Sequence, residues 1–200
     1  MRGVLYLVRH GLASTPGIMT GQADFPLLPE GEEQARVLRD ELACIVFSAA
    51  WCSPLQRAKA TARIILEGNS ANTADIVEVP ALKELSLGLW DGKDSRWCRA
   101  NFPQEWQERG RDFAGTAPPG GESVSELAER VLPAFGMLCR VAARHSAALL
   151  VAHQAVNRVI ISRLAAMPLA MLRDIPQPPA AVTRIMLSSG GARAVLVRDG

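Results

Sequence analysis

The chain has 200 residues, and its 22 Lys and Arg against 20 Asp and Glu leave a net charge of +2 with no basic block. That balance gives little electrostatic reason to expect nucleic acid or an acidic membrane as partner, so anion recognition falls to a few local arginines. An apolar share of 48% and a charged share of 21% suit one domain over residues 1–200. Arg2 precedes an apolar run too short for a secretory signal, and no stretch is long enough to span a bilayer, so a cytoplasmic protein is expected. The four cysteines (Cys44, Cys52, Cys98 and Cys139) show neither a C-x-x-C pair nor zinc-like spacing. They read as reduced thiols, mostly core filler.

Short apolar runs alternate with helical patterns, which predicts βα units and a mostly parallel sheet. Residues 5–8 are the first strand. A helix follows over 30–42, with Ala35, Leu38 and Leu42 on one face. Residues 44–47 are expected as the second strand, ending at Ser48. Ser53-Pro54 then opens a helix, the serine capping free N–H groups and the proline fitting the first turn. Leu55, Ala58, Ala62 and Ile65 recur behind it at helical spacing. Residues 76–79 form a short extended piece before Pro80.

The stretch 91–119 mixes Trp, Arg, Gly and Pro and reads as irregular with short helices, a lid or substrate-facing insertion. Ser123-Val124-Ser125-Glu126 has the form of a capping box. Behind it Val124, Leu127, Val131, Phe135, Leu138 and Ala142 trace one helical stripe, with a bend expected at Pro133. Residues 148–152 are a buried strand and 156–164 a helix. Residues 183–187 and 193–197, joined by Gly190-Gly191, are read as a hairpin at the sheet edge.

Four places carry chemistry, each where a strand ends or a helix begins: Arg9-His10-Gly11, Arg57, Glu84 and His153. In an open α/β sheet, ligands gather outside the carboxyl ends of the strands. Helix N-termini there present unpaired N–H groups that suit phosphate. Arg9 and Arg57 add two guanidinium forks for phosphoryl oxygens, and Gly11 lets the backbone come close. Taken singly, each residue has a plainer reading: a surface Arg-His pair, a helix-surface cation, a solvated carboxylate. Of the three histidines, His145 near a helix end is read as a structural charge.

The segment Leu7-Val8-Arg9-His10-Gly11 resembles the R-H-G signature of the histidine phosphatase superfamily, which includes cofactor-dependent phosphoglycerate mutases. Residues 20–27 resemble the loop that closes over phosphate in that family. Cys52-Ser53-Pro54-Leu55-Gln56-Arg57-Ala58 with Thr61-Ala62 resembles its second arginine motif. Glu84, Gly88 and Trp90 resemble the acid motif, and Val151-Ala152-His153 the second-histidine motif. The resemblance covers nearly the whole chain. Within the superfamily, His153-Gln154-Ala155-Val156 followed by Met167-Pro168 is most similar to α-ribazole phosphatases and related broad-specificity members.

The resemblance implies a three-layer αβα fold with a mostly parallel central sheet and an antiparallel edge strand. It implies hydrolysis of a small-molecule phosphate ester through a phosphohistidine on His10, with Glu84 as proton donor and acceptor. Arg9, Arg57 and His153 would hold the phosphoryl oxygens. Ser14, Thr15, Thr20, Gly21, Gln22 and Gln154 are the expected substrate contacts, and no cofactor and no metal are expected.

This sequence departs from the family pattern at Leu12, where an acidic residue is common, and at Ala13-Ser14-Thr15-Pro16, where an asparagine is. Ser14 or Thr15 is the candidate replacement. Leu28 stands where a threonine usually caps the following helix, which implies a small loss of stability. Trp90, Trp97, Arg99, Trp106 and Arg109 are candidates to meet a nucleoside-like or sugar-like group, with plain packing under a long loop as the equal alternative. A phosphoglycerate mutase is the rival within the superfamily; the short segment from Glu84 to His153 favours hydrolysis because water can enter. A non-catalytic phosphate-binding relative is the rival of another class. Oligomeric state is not readable.

Overall fold

The computed structural model describes residues 3–188 and 191–194. In chain order the strands are β1 (Gly3–Arg9), β2 (Ile18–Met19), β3 (Ala49–Cys52), β4 (Ile76–Glu78), β5 (Lys93–Asp94), β6 (Ala147–Ala152), β7 (Val182–Ser188) and β8 (Gly191–Ala194). The α-helices are α1 (Pro29–Glu41), α2 (Gln56–Leu66), α3 (Ser95–Asn101), α4 (Pro103–Arg111), α5 (Val124–Ala142) and α6 (Gln154–Leu164). Six strands form one sheet in the order β4-β3-β6-β1-β7-β8. β4, β3, β6 and β1 run parallel, and β7 and β8 extend the sheet with antiparallel pairings. β2 and β5 form a separate two-stranded ribbon.

Strand alternation divides the core between the two faces of the sheet. Leu5 and Leu7 of β1 join Ala148, Leu150 and Ala152 of β6 against the apolar stripes of α5 and α6. Tyr6 and Val8 join Leu149 and Val151 against α1 and α2. Helices thus cover both faces, and β6 is buried at all 6 of its positions, which is why it reads as an unbroken apolar run. The fold is the expected αβα sandwich.

The second strand lies later than expected. Residues 44–47 are irregular, although Phe47 is buried, because its backbone is already committed: its N–H donates to Asn72 Oδ1 and its carbonyl accepts from Thr73 N. Pairing falls to Ala49–Cys52, which lie beside Ala148–Val151 of β6.

The next helix also starts later, with Leu55 as N-cap. Ser53 is not the N-cap residue, but its Oγ accepts from Leu55 N at 3.3 Å, and Asp24 from a distant loop accepts from Gln56 N at 2.7 Å. At α1, Leu28 is the N-cap and offers no side-chain bond, as expected from the sequence. α6 begins at Gln154, two residues earlier than read.

Residues 91–119 contain β5, α3 and α4. Trp90 is fully buried and packs on Trp106 and Phe102 at ring-centroid distances of 5.4 and 6.3 Å. For Trp90 and Trp106 the packing alternative is therefore the observed one. The terminal hairpin forms, but Ser188 faces Gly191, so its second strand lies at Gly191–Ala194; the expected 195–197 portion is outside the described residues. Cys52 and Cys98 are buried free thiols, whereas Cys44 is exposed and is not core filler. Among the described residues no helix is long and apolar enough to cross a membrane.

The capping box at α5 is complete: Ser123 Oγ accepts from Glu126 N at 3.2 Å, and Glu126 Oε2 accepts from Ser123 N at 2.7 Å. Ser123 is almost entirely buried, so water cannot replace it. Ser123→Ala is expected to lower unfolding free energy by about 1 kcal/mol. Urea denaturation of both proteins measures it; an unchanged midpoint would show that the box contributes nothing to the fold.

Candidate active site

The central pairing of β1 with β6 builds the site. Arg9 lies opposite Ala152 in the parallel register, so the chain leaves both strands side by side. His10 N donates to Ala152 O at 3.1 Å, and His153 follows directly. The His10 and His153 rings stand edge to face with centroids 5.0 Å apart. Both are buried, His153 completely.

The orientation of His10 is fixed on both sides. Nδ1 lies 2.6 Å from Gly11 O, an acceptor only, so Nδ1 carries the proton. Nε2 then holds a lone pair, which accepts from Arg57 Nε at 3.2 Å. Arg57 is fully buried, and its other two nitrogens donate to Ala23 O and Gly21 O at 2.8 and 2.7 Å. Three of its five N–H groups are used, leaving two. Thr61 joins the pieces: its hydroxyl accepts from Gly11 N at 3.2 Å and donates to Arg57 O at 2.8 Å.

Gly11 serves the scaffold, not ligand approach as read from the sequence. A Cβ there would collide with Gly31 O of α1, and one on Gly31 would collide with Leu12 O. Two glycines let α1 lie against the loop after β1.

Glu84 is held by its backbone and its carboxylate. Its carbonyl accepts from Gln22 Nε2 at 2.9 Å and from Arg130 Nη2 at 3.0 Å. Arg130 is anchored in turn by Glu122 at 2.6 Å. The Glu84 carboxylate accepts from Leu85 N at 2.8 Å and from Ala155 N, in the first turn of α6, at 3.3 Å. Arg9 donates to Gln177 O, which also accepts from Gln154 Nε2 at 3.2 Å.

A cavity of about 580 Å³ opens over these groups. Arg9, His10, Arg57, Glu84, Ser14, Thr15, Thr20, Gly21 and Gln154 all line it. Ser14 and Thr20 share a hydroxyl–hydroxyl bond of 2.8 Å. Gln22 and His153 are not lining residues: Gln22 steadies the Glu84 segment, and His153 stands behind His10. Neither ring nitrogen of His153 has a hydrogen-bond partner. Such orphaned groups in a fully buried position cost about 1–3 kcal/mol each unless a ligand satisfies them.

Sequence reading missed Arg158, Phe113 and Leu172 in the lining, and Gln177 beside it. Arg158 lies four residues past Gln154, one turn along α6 on the same face, a spacing that had the signal. Arg109, singled out as a candidate, does reach the cavity; Trp90, Trp97, Arg99 and Trp106 do not line it.

Burial sets the electrostatics. It pushes His10 well below the ordinary 6.5, with Arg57 and Arg9 adding repulsion. His153 is lowered by burial first, then by His10, Arg57 and Arg9. Arg9 falls to about 10 through burial, against the opposing pull of Glu84. Both rings are neutral at pH 7 while both guanidiniums stay charged. Among the described residues no cluster of three or more His, Cys, Asp or Glu side chains is arranged to hold a metal ion.

An uncharged imidazole beside converging guanidiniums, at the carboxyl edge of a parallel sheet, defines a site shaped for a phosphoryl group. The comparisons agree with that class. The chain belongs to the histidine phosphatase superfamily, branch 1, whose family model matches residues 5–200.

Among curated relatives, the adenosylcobalamin/alpha-ribazole phosphatase of Salmonella typhimurium is 32% identical over 84% of this chain and 82% of its own. A 2,3-bisphosphoglycerate-dependent phosphoglycerate mutase of Parvibaculum lavamentivorans is 36% identical over 68% of this chain and 66% of its own. Among solved structures, the alpha-ribazole phosphatase of Shigella flexneri superposes with a TM-score of 0.87 at 27% identity, covering 98% of this chain and 95% of that one.

The depressed histidines predict the pH dependence of stability. The unfolded chain takes up protons below 6.5, while the folded rings stay neutral. Stability is therefore complete above that pH and is lost as pH falls, by about 1.4 kcal/mol per pH unit per ring. Urea unfolding at pH 7.5, 6.5 and 5.5 measures the slope, and His153→Asn removes one ring's share. A flat profile in the wild type would show that the folded rings protonate normally.

Proposed function

We propose that the protein hydrolyses a small-molecule phosphomonoester through a phosphohistidine on His10 Nε2. The observation that carries this reading is the bond from His10 Nδ1 to Gly11 O, which aims an unprotonated Nε2 at Arg57 in the cavity.

In the first half-reaction, Nε2 gives up its hydrogen bond from Arg57 Nε and attacks phosphorus in line with the freed lone pair; the P–N bond forms and the P–O bond to the alcohol breaks. Arg9 and the two unused N–H groups of Arg57 stabilise the equatorial oxygens as charge passes through them. Glu84, at the cavity wall, gives its proton to the departing alkoxide. In the second half-reaction Glu84 takes a proton from water, the water oxygen attacks phosphorus, and the P–N bond breaks to return neutral His10 and free phosphate. His153 has no partner for either ring nitrogen but stands behind His10, so its contact with a phosphoryl oxygen requires that oxygen to pass beside the His10 ring. The negative phosphoryl group then favours its protonated form.

The single-domain reading with residues 91–119 as a substrate-facing insertion is part of the proposal. It is supported by Arg109 and Phe113, which come from that stretch to the cavity wall. Ser14, Thr15, Thr20, Gly21 and Gln154 also line the cavity and are the proposed contacts to the rest of the ester. α-Ribazole phosphate is the first candidate substrate, supported by the relatives with that name.

His10→Ala is expected to lower phosphate release by about a thousandfold or more. Wild-type protein quenched during turnover should carry acid-labile phosphate that the variant lacks. Glu84→Gln should slow turnover by about 10²- to 10⁴-fold. With p-nitrophenyl phosphate, whose leaving group needs no proton, that variant should give a burst followed by slow hydrolysis. Full activity in His10→Ala would overturn the assignment. Incubation with a phosphoglycerate decides against the mutase alternative if free phosphate, rather than the isomer, accumulates.

A further inference from the structure

The cavity holds four guanidiniums, those of Arg9, Arg57, Arg109 and Arg158, against one carboxylate, Glu84. A phosphomonoester dianion balances the inner pair, Arg9 and Arg57. Glu84 offsets at most one further charge, so Arg109 and Arg158 together keep an unbalanced positive charge.

The scaffold holds these two arginines through backbone carbonyls and a ring, and supplies no carboxylate to pair with them. Arg109 is only 5% exposed. It donates to Thr116 O at 2.6 Å, and its guanidinium lies 4.7 Å from the Phe113 ring centre. Arg173 lies 3.9 Å from the same ring centre, adding a second cation. Arg158 donates to Ile175 O at 2.8 Å and to Arg173 O at 3.5 Å. Among the described residues none of these three arginines forms an ion pair with a carboxylate. Burial together with Arg173 pushes Arg109 down to about 10, which leaves it cationic at neutral pH. A buried cation with no counter-ion is costly to keep, and an anion in the part of the cavity that Arg109 lines would relieve the cost, with Arg158 of the same cavity as a second cation.

Apolar side chains also wall the cavity, including Ile18, Met19, Phe113 and Leu172. Such a wall suits the carbon skeleton of an ester. We propose that Arg109 and Arg158 form a second anion subsite, and that the preferred substrate is a phosphomonoester whose alcohol part itself carries a negative group. This rests on the phosphatase reading above and, within it, ranks anion-bearing esters ahead of α-ribazole phosphate, whose alcohol carries no second anion. The shared chemistry is a second anion on the leaving alcohol, whether carboxylate or phosphate.

Matched pairs test it. 3-Phosphoglycerate and glycerol 3-phosphate differ by a carboxylate, and a nucleoside 3′,5′-bisphosphate and its 5′-monophosphate differ by a second phosphate. α-Ribazole 5′-phosphate serves as a large ester without a second anion. Initial rates of phosphate release should give the anion-bearing member of at least one pair about a tenfold higher kcat/KM, mainly through KM. Which pair shows it identifies the group. The preference should shrink as salt is raised, because it comes from charge.

In Arg109→Gln and in Arg158→Gln the ratio within the pair should fall towards one; using a ratio within each variant makes the reading independent of how much active protein it yields. Equal kcat/KM within both pairs in the wild type would overturn the subsite while leaving the phosphatase reading intact. So would a preference that survives in both variants. No phosphate release from any ester, and no acid-labile phosphate on the protein, would overturn both.

Discussion

The parallel pairing of β1 with β6 at the centre of the sheet is the constraint on which the rest depends. Its register sets Arg9 opposite Ala152, so the residues that follow, His10 and His153, must emerge together. Both strands are flanked by other strands and covered by helices on both faces. Slipping the register by one residue would turn every core side chain to the wrong face. The ring-to-ring approach of 5.0 Å is therefore secured by apolar packing far larger than any force between the rings.

That placement determines the electrostatics. The rings sit where water is excluded and two guanidiniums are near, so the neutral imidazole is the favoured form. The same burial leaves the His153 nitrogens without partners and Arg57 with spare donors. An anion placed there would satisfy charge and hydrogen bonds at once.

Several supports cross the chain in ways that no local pattern announces. Asp24 caps α2 from a loop, Arg130 of α5 steadies the Glu84 carbonyl, and Thr61 ties the turn after β1 to Arg57. Gly11 looked like a ligand-approach glycine, and its actual partner is Gly31 of α1. The strand expected at 44–47 lay at Ala49–Cys52 because bonds from Asn72 and Thr73 had claimed the Phe47 backbone. In each case the deciding partner lies roughly 20 or more residues away, beyond the reach of periodicity and propensity.

From the sequence alone came the α/β class, most helices to within two residues, the α5 capping box, and the short motifs holding Arg9, His10, Arg57, Glu84 and His153. These are legible because apolar spacing, caps and strand-end positions are local properties of the chain. Tertiary structure decided which nitrogen of His10 is free, why His153 lies behind the cavity wall and not on it, and how Gln22 steadies Glu84. It also brought Arg109 from α4 and Arg158 from α6 into one cavity without a matching carboxylate. Charge balance inside a cavity depends on which distant side chains share it, and only the closed fold fixes that set.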